Sequence, residues 1–141
     1  MLQLLYVSGA TRPMSDADLE DILAVSRANN QRDGVTGMLL WADGVFIQIL
    51  EGEPDTVRSL VSRIEGDARH RNFMVVLEQQ ADQRTFSEWS MGFKKLDAGK
   101  AADDRLFRIS RQALSDRISD HDGGLFLETV LVFCRDFLSD R

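Results

Sequence analysis

At 141 residues the chain has the length of one domain, and 43% apolar residues suffice for a hydrophobic core. No apolar run approaches the roughly 18 residues that a membrane span needs, and a net charge of −6 argues against nucleic acid and membrane partners. The single cysteine, Cys134, excludes an internal disulfide, and the first residues lack a signal peptide's basic start, so we expect a cytoplasmic protein.

The first half of the chain predicts a strand, a helix and a β-hairpin. Residues 2–8 are an apolar run suited to a buried strand. Ser15 is a good N-cap for the helix that follows, and Gly34 marks its end. Residues 34–52 predict two strands joined by a tight turn at residues 42–44.

The second half predicts another helix and two more strands. Pro54 suits the first turn of a helix whose stripe runs to Asp67. Strands are expected at residues 73–78 and, more weakly, at 90–95. This order is typical of an α+β, ferredoxin-like βαββαβ(β) sheet with two helices on one face. We expect the first and third strands to be parallel neighbours at its centre.

A polar linker after Leu96 divides the chain into a sheet domain, residues 1–96, and an extension, residues 97–141. The extension predicts two helices, at about 103–117 and 124–138. An apolar stripe on the second helix runs from Leu127 to Cys134 and Leu138, so we expect Cys134 to be a core residue. We expect these helices to cover the free sheet face or to form a dimer contact, and the protein to be a homodimer or larger homo-oligomer.

Gln48 lies in the middle of the third predicted strand, where it shares one face with the apolar residues Phe46 and Leu50. A buried amide without partners costs about 1–3 kcal/mol, so a polar group must meet it. Tyr6 lies on the neighbouring strand, and we expect the two side chains to touch.

Both predicted helices begin apolar and end polar, and we expect their polar ends to line a cleft that faces the sheet. The polar residues of the first are Ser26, Asn29 and Asn30, and those of the second are Arg63, Asp67, Arg69 and His70. Each residue also has an ordinary interpretation. The asparagines are typical helix caps, Arg63 and Asp67 are spaced as a surface ion pair, and Gln48 and Tyr6 are compatible with satisfied core residues.

Other chemistry finds little support in the sequence. Two histidines and one cysteine form no cluster with the spacing of metal ligands. The chain also contains no GxSxG, P-loop or GxGxxG motif. We therefore expect no metal site.

Four segments resemble one family. LLYVSGA, SRANNQRDGVTGMLLWADGVFIQILEG, RIEGDARHRNF and RTFSEWSMGF together resemble the BLUF domain, a blue-light sensor that uses FAD. The resemblance runs from about residue 2 to residue 95 without a gap. Short members of this family carry two helices after the domain, as predicted here.

The resemblance implies a role for each candidate residue. It makes Tyr6 the photoactive tyrosine and Gln48 the glutamine that switches, with Trp89 and Met91 competing for a place beside it. The residues implied to bind the cofactor, FAD or alternatively FMN, are Ser26, Asn29, Asn30, Gln48, Arg63, Asp67, Arg69 and His70. In the family, light moves an electron and a proton from the tyrosine to the flavin and rearranges the glutamine network. No substrate is turned over, so the output is expected to reach an unidentified protein partner.

Two other functions stay open at this point. A small flavin oxidoreductase on the same fold needs a substrate site beside the ring, and we find no sequence feature for one. A ferredoxin-like module without flavin, such as an acylphosphatase-like protein, lacks the Gly-rich, Arg-containing loop that this activity needs after the first strand.

Overall fold

The computed structural model describes residues 1–97, 99–116 and 127–134. Its elements follow the predicted order: β1 (Leu2–Ala10), α1 (Asp16–Asp33), β2 (Thr36–Ala42), β3 (Val45–Gly52), α2 (Pro54–Glu65), β4 (His70–Gln80), β5 (Gly92–Lys95) and α3 (Ala101–Asp116). Residues 127–134 are also helical. No helix within these described residues is long and apolar enough to cross a membrane.

The predicted boundaries of α1 and of the hairpin are confirmed by their local chemistry. Ser15 caps α1, because its side chain accepts a hydrogen bond from the Asp18 backbone while the Asp18 carboxylate accepts one from the Ser15 backbone. Gly34 ends the helix at a φ of 71°. Asp43 and Gly44 both have positive φ, as the two-residue turn between β2 and β3 requires.

The five strands form one sheet in the order β4-β1-β3-β2-β5, which agrees with a ferredoxin-like arrangement. The expectation that β1 and β3 run parallel is wrong: they pair antiparallel, and only β5 runs parallel to its neighbour β2. The α1 crossover makes β2 run in the same direction as β1. Because β3 inserts between them as the second arm of a hairpin, it opposes both.

Both faces of the sheet are covered. On one face α1 and α2 pack over Leu4, Tyr6 and Phe46. On the other face α3 and residues 127–134 pack over a core that includes Leu5 and Ile47. The residues that these helices contribute to that core are Leu106, Leu127, Val130, Leu131 and Cys134.

The predicted C-terminal helices are confirmed where the structure describes them. The first spans Ala101–Asp116, and the second includes residues 127–134, while the rest of its predicted range lies outside the described residues. Cys134 is fully buried, and burial raises the pKa of its thiol to about 12. Cys134 is therefore an inert core residue, as predicted.

Candidate functional site

Tyr6 and Gln48 lie directly opposite each other on β1 and β3. The Tyr6 hydroxyl donates a short hydrogen bond to Oε1 of Gln48, and both side chains are buried. The antiparallel register places their side chains on one face of the sheet at a cross-strand pair. The predicted contact is confirmed, although the strand direction assumed for it was wrong.

Met91 occupies the place beside the other end of the Gln48 amide. Nε2 of Gln48 donates a hydrogen bond to the Met91 sulfur at 3.2 Å. Trp89 is half-buried and packs against the core on the opposite face of the sheet. Of the two predicted competitors, Met91 is therefore the neighbour of Gln48 in this structure.

A narrow cleft lies above the Tyr6–Gln48 pair, between α1 and the end of α2. Its apolar walls are Ile22, Val25, Leu39, Phe46 and Ile64. Its polar lining consists of Tyr6, Ser26, Gln48, Asp67, Arg69 and His70. A slot with apolar walls and polar groups at its rim suits a flat ring with carbonyls and nitrogens along its edge.

The width of the cleft has a consequence for any ring that enters it. The cavity measures about 80 Å³, whereas sites for drug-sized ligands hold roughly 300–1,000 Å³. Val25 lines it yet keeps 61% of its surface exposed. A ring inserted here has to separate the two helices, and it would cover the apolar surface of Val25.

Asp67, Arg69 and His70 were predicted at the end of the second helix, but the structure places them after it. α2 ends at Glu65, so Asp67 and Arg69 lie in the connection to β4 and His70 begins the strand. Asp67 accepts hydrogen bonds from the Arg69 guanidinium at 2.6 and 2.9 Å and from the Arg69 backbone at 2.9 Å. The Arg69 hydrogen bonds lower the pKa of Asp67 to about 2, so this carboxylate is charged at neutral pH.

His70 is fixed by Ser8, a residue that the sequence analysis missed. Ser8 is fully buried, and its hydroxyl lies 2.7 Å from Nδ1 of His70. The His70 ring packs against Phe46 with ring centroids 4.6 Å apart. The pairing of β1 with β4 has a register shift between Val7 and Gly9, and this irregularity directs His70, the first residue of β4, toward Ser8. The available signal was the period-2 spacing of Tyr6 and Ser8, which puts both on the cleft face.

The surroundings of Tyr6 keep its phenol protonated. Burial raises its pKa, and the negative charge of Asp67 raises it further. Phe73 stacks on the Tyr6 ring with centroids 4.5 Å apart. Tyr6 is therefore a neutral hydrogen-bond donor whose proton has Gln48 as its acceptor.

The remaining predicted residues lie at different distances from the cleft. Ser26 lines it, and Asn29 is half-buried on the same helix. Asn30 is buried, and its amide nitrogen donates to the Ser90 carbonyl at 2.8 Å. Arg63 is exposed on the last turn of α2, with a guanidinium nitrogen 4.0 Å from the Asp33 carboxylate. The ion pair between Arg63 and Asp67, which was the ordinary alternative for these two residues, does not form, because Asp67 binds Arg69 instead.

The polar residues of the cleft also indicate which kind of ligand it could bind. Within the part of the chain that the structure describes, no three His, Cys, Asp or Glu residues are grouped to hold a metal ion. The cleft offers one amide, one phenol, one hydroxyl, one imidazole and one charged pair around apolar walls. This set of groups would suit a flavin, whose ring is flat and apolar with polar atoms at its edge.

Comparison with known proteins agrees with this geometry. The family model "BLUF: Sensors of blue-light using FAD" matches residues 1–92. The chain is 40% identical over 89 residues to the beta subunit of a photoactivated adenylate cyclase from Euglena gracilis, a match that covers 62% of this chain and 10% of that protein. The chain thus spans about a tenth of the length of the curated relatives it matches.

Solved structures extend the likeness over more of the chain. The photo-activated state of BlsA is 28% identical with a TM-score of 0.73, covering 93% of this chain and 94% of that one. The dark-state structure of BlrB, a BLUF protein, is 25% identical with a TM-score of 0.69, covering 93% and 95%. The match therefore reaches beyond the residues of the family model into the C-terminal helices.

Proposed function

The chain belongs to the BLUF family, sensors of blue light using FAD, and we propose that it is a photoreceptor whose switch is the pair Tyr6 and Gln48. The observation that carries this proposal is the hydrogen bond between their side chains at the base of the cleft. Gln48 also reaches Met91 with its amide nitrogen. Each end of one amide thus has its own partner.

An amide suits a switch because it carries a donor at one end and an acceptor at the other. When bound, the flavin supplies the absorption of blue light and the site that accepts an electron. Tyr6 holds its proton toward Oε1 of Gln48, and its raised pKa keeps the phenol protonated in darkness. Loss of an electron makes a phenol strongly acidic, so Gln48 is placed to accept that proton at Oε1 and to release one from Nε2, which rearranges the amide.

We assign the cofactor contacts by position. Ser26 and the apolar walls hold the ring. Asn30 follows on the same helix, and we assign its amide to the ring edge as the family resemblance implies. Asp67, Arg69 and His70 line the same cleft. Asn29 and Arg63 lie on the two flanking helices, and we assign Arg63 as a further polar residue beside the ring. We propose FAD as the cofactor, with FMN as the other flavin to test.

We propose that residues 1–96 form the sensor and residues 97–141 an extension that passes the signal on. α3 and residues 127–134 pack on the sheet face opposite the cleft, so a change in β1 or β3 reaches them directly. The expected readout is a contact with a second copy of the chain or a downstream protein in the cytoplasm. Binding and signalling, without catalysis, account for every candidate residue.

The test is the absorption spectrum of the purified protein before and after blue light. We expect bound flavin, a reversible red shift of its absorption band, and FAD as the compound released on denaturation. Tyr6→Phe and Gln48→Leu should both retain flavin and lose the shift, because each removes one partner of the switch. Gln80→Leu, at an exposed position of β4, should behave as the parent protein.

Three outcomes would contradict the proposal. Colourless protein that takes up no flavin would indicate a ferredoxin-like module of another kind. Steady oxidation of NADH or NADPH by the flavin-loaded protein would indicate an oxidoreductase. A normal light response in Tyr6→Phe or Gln48→Leu would remove that residue from the switch.

A further inference from the structure

Glu51 is a fully buried carboxylate that the proposed light response does not use. It lies on β3, three residues after Gln48, and therefore points to the opposite face of the sheet. Its register neighbours are Gln3 on β1 and Thr36 on β2. Burying a carboxylate costs free energy unless several hydrogen-bond donors contact it, so Glu51 needs several such donors.

Four donors meet the Glu51 carboxylate. Oε1 accepts from the Thr36 hydroxyl at 2.9 Å and from the Phe86 backbone at 2.7 Å. Oε2 accepts from the Gln3 amide at 3.0 Å and from the Thr85 backbone at 2.8 Å. Among the described residues no cation forms an ion pair with this carboxylate. The Arg84 guanidinium lies one step away, because it donates to the Thr36 hydroxyl at 2.8 Å and to the Glu51 main-chain carbonyl at 3.1 Å. The four direct donors are all uncharged, and two of them belong to one loop.

The loop that Glu51 holds is the one that carries Trp89 and Met91. Phe86 is fully buried, and its carbonyl accepts a hydrogen bond from the Trp89 backbone at 2.9 Å. Gly37 on β2 donates to the Trp89 carbonyl at 3.1 Å. Residues 85–91 thus run from the Glu51 carboxylate to the sulfur that contacts Gln48.

The far end of this segment is held by α1. Arg27 donates to the Met91 carbonyl at 2.9 Å, and Asn30 donates to the Ser90 carbonyl at 2.8 Å. Both residues belong to α1, the helix whose Val25 and Ser26 line the cleft, whereas Glu51 holds the segment from the other face of the sheet. A ring that binds Asn30 or moves α1 acts on one end, and Glu51 secures the other.

We propose that Glu51 is a positioning residue that fixes residues 85–86 and so returns Met91 to Gln48 after each light response. This inference rests on the proposed function. Ordering a loop costs conformational entropy, and the Glu51 hydrogen bonds offset that cost before light arrives. Without these hydrogen bonds, the loop has to be ordered during the step in which Met91 returns to Gln48, so we expect that step to be slower.

The test compares Glu51→Gln with the matched variant Glu78→Gln, in which an exposed glutamate of β4 loses its charge. Glutamine has nearly the same volume as glutamate. Its amide nitrogen replaces one oxygen that accepts two hydrogen bonds, and as a donor it cannot accept either of them. We expect the dark recovery of the flavin band in Glu51→Gln to slow about fivefold, the equivalent of one hydrogen bond. Hydrogen exchange at the Thr85 and Phe86 amides should accelerate. Glu78→Gln should change neither quantity.

Thr36→Val serves as the second variant if Glu51→Gln does not fold. It removes one of the four donors, keeps the carboxylate, and should change recovery and exchange in the same direction by a smaller factor. A Glu51→Gln protein that is less stable but recovers at the parent rate would overturn the inference, because the role would then be structural only. Unchanged exchange at Thr85 and Phe86 would overturn it as well. A parent protein with no light response would overturn the proposed function, and the inference about Glu51 would then fail because it rests on that function.

Discussion

Gln48 and Met91 are joined by a hydrogen bond from an amide nitrogen to a thioether sulfur, 3.2 Å long, across the gap between β3 and the segment before β5. Sulfur is a weak acceptor, so this bond restrains the amide without locking it. The opposite end of the amide accepts the stronger bond from Tyr6. Gln48 therefore has a defined orientation, and little free energy is needed to rotate its amide out of that orientation.

The first prediction concerns that sulfur. Met91→Leu keeps the volume of the side chain and removes the acceptor, so the orientation of Gln48 seen here loses a partner. We expect a fraction of the protein to show the lit absorption in darkness, and the light-minus-dark difference to fall in amplitude. Steady-state difference spectra of the flavin-loaded protein measure this. An amplitude equal to that of the parent protein would show that the sulfur has no part in orienting the amide.

The second prediction compares two arginines of α2. Arg58 and Arg63 each have side chains 56% exposed, and each lies near one carboxylate, Glu78 or Asp33. If Arg63 donates a hydrogen bond to the flavin, Arg63→Ala should raise the dissociation constant of the flavin about tenfold, the usual contribution of one charged hydrogen bond. Arg58→Ala should leave it unchanged. Titration of protein freed of flavin gives both constants, and equal losses in the two variants would point to a general effect of charge.

The third prediction concerns Gly37. A Cβ placed there would lie 2.1 Å from the Ile49 carbonyl oxygen and 3.3 Å from Cε of Met91. Since the nearer atom belongs to the backbone of the adjacent strand, it has little freedom to move. We expect Gly37→Ala to lower the free energy of unfolding by about 3 kcal/mol. Gly66→Ala is the control, because its Cβ would meet only ordinary contacts at 3.6 Å, and chemical denaturation measures both.

The fourth prediction concerns acid. Burial lowers the pKa of His70 below its ordinary value of 6.5, Arg69 adds to this, and Asp67 opposes it. Because the folded pKa lies below the unfolded one, the unfolded chain binds more protons between the two values. The stability linked to His70 is therefore present above pH 6.5 and is lost as the pH falls from there toward the folded pKa.

Unfolding curves at several pH values across this window test the assignment. His70→Gln removes the titrating group and keeps a side chain able to bond Ser8, so its stability should fall less on acidification than that of the parent. Asp67 is present in both proteins, and the hydrogen bonds from Arg69 lower its folded-state pKa to about 2, so its own titration is common to both curves. His121 is present in both proteins. Parallel curves for the two proteins would assign the acid sensitivity to other groups.

Local sequence patterns predicted the order of the elements, and together with the family resemblance they predicted the residues of the candidate site. Periodicity and capping residues are local signals, so Ser15, Gly34 and the turn at residues 42–44 could be recognised without tertiary information. The alternation of strand residues placed Gln48 on an apolar face, and the family resemblance supplied its partners. Strand direction was not local, which is why the relation of β1 to β3 was predicted wrongly.

Which side chains contact one another depends on the packing of the whole chain. Ser8 and His70 lie 62 residues apart, Glu51 and Phe86 lie 35 apart, and in each case the contact depends on register and on where a loop crosses the sheet. The choice of Met91 over Trp89 beside Gln48 depends on the same loop. Chain patterns carry the chemistry of each residue, but hydrogen bonds form between atoms within about 3 Å, and only the packed sheet brings these atoms that close.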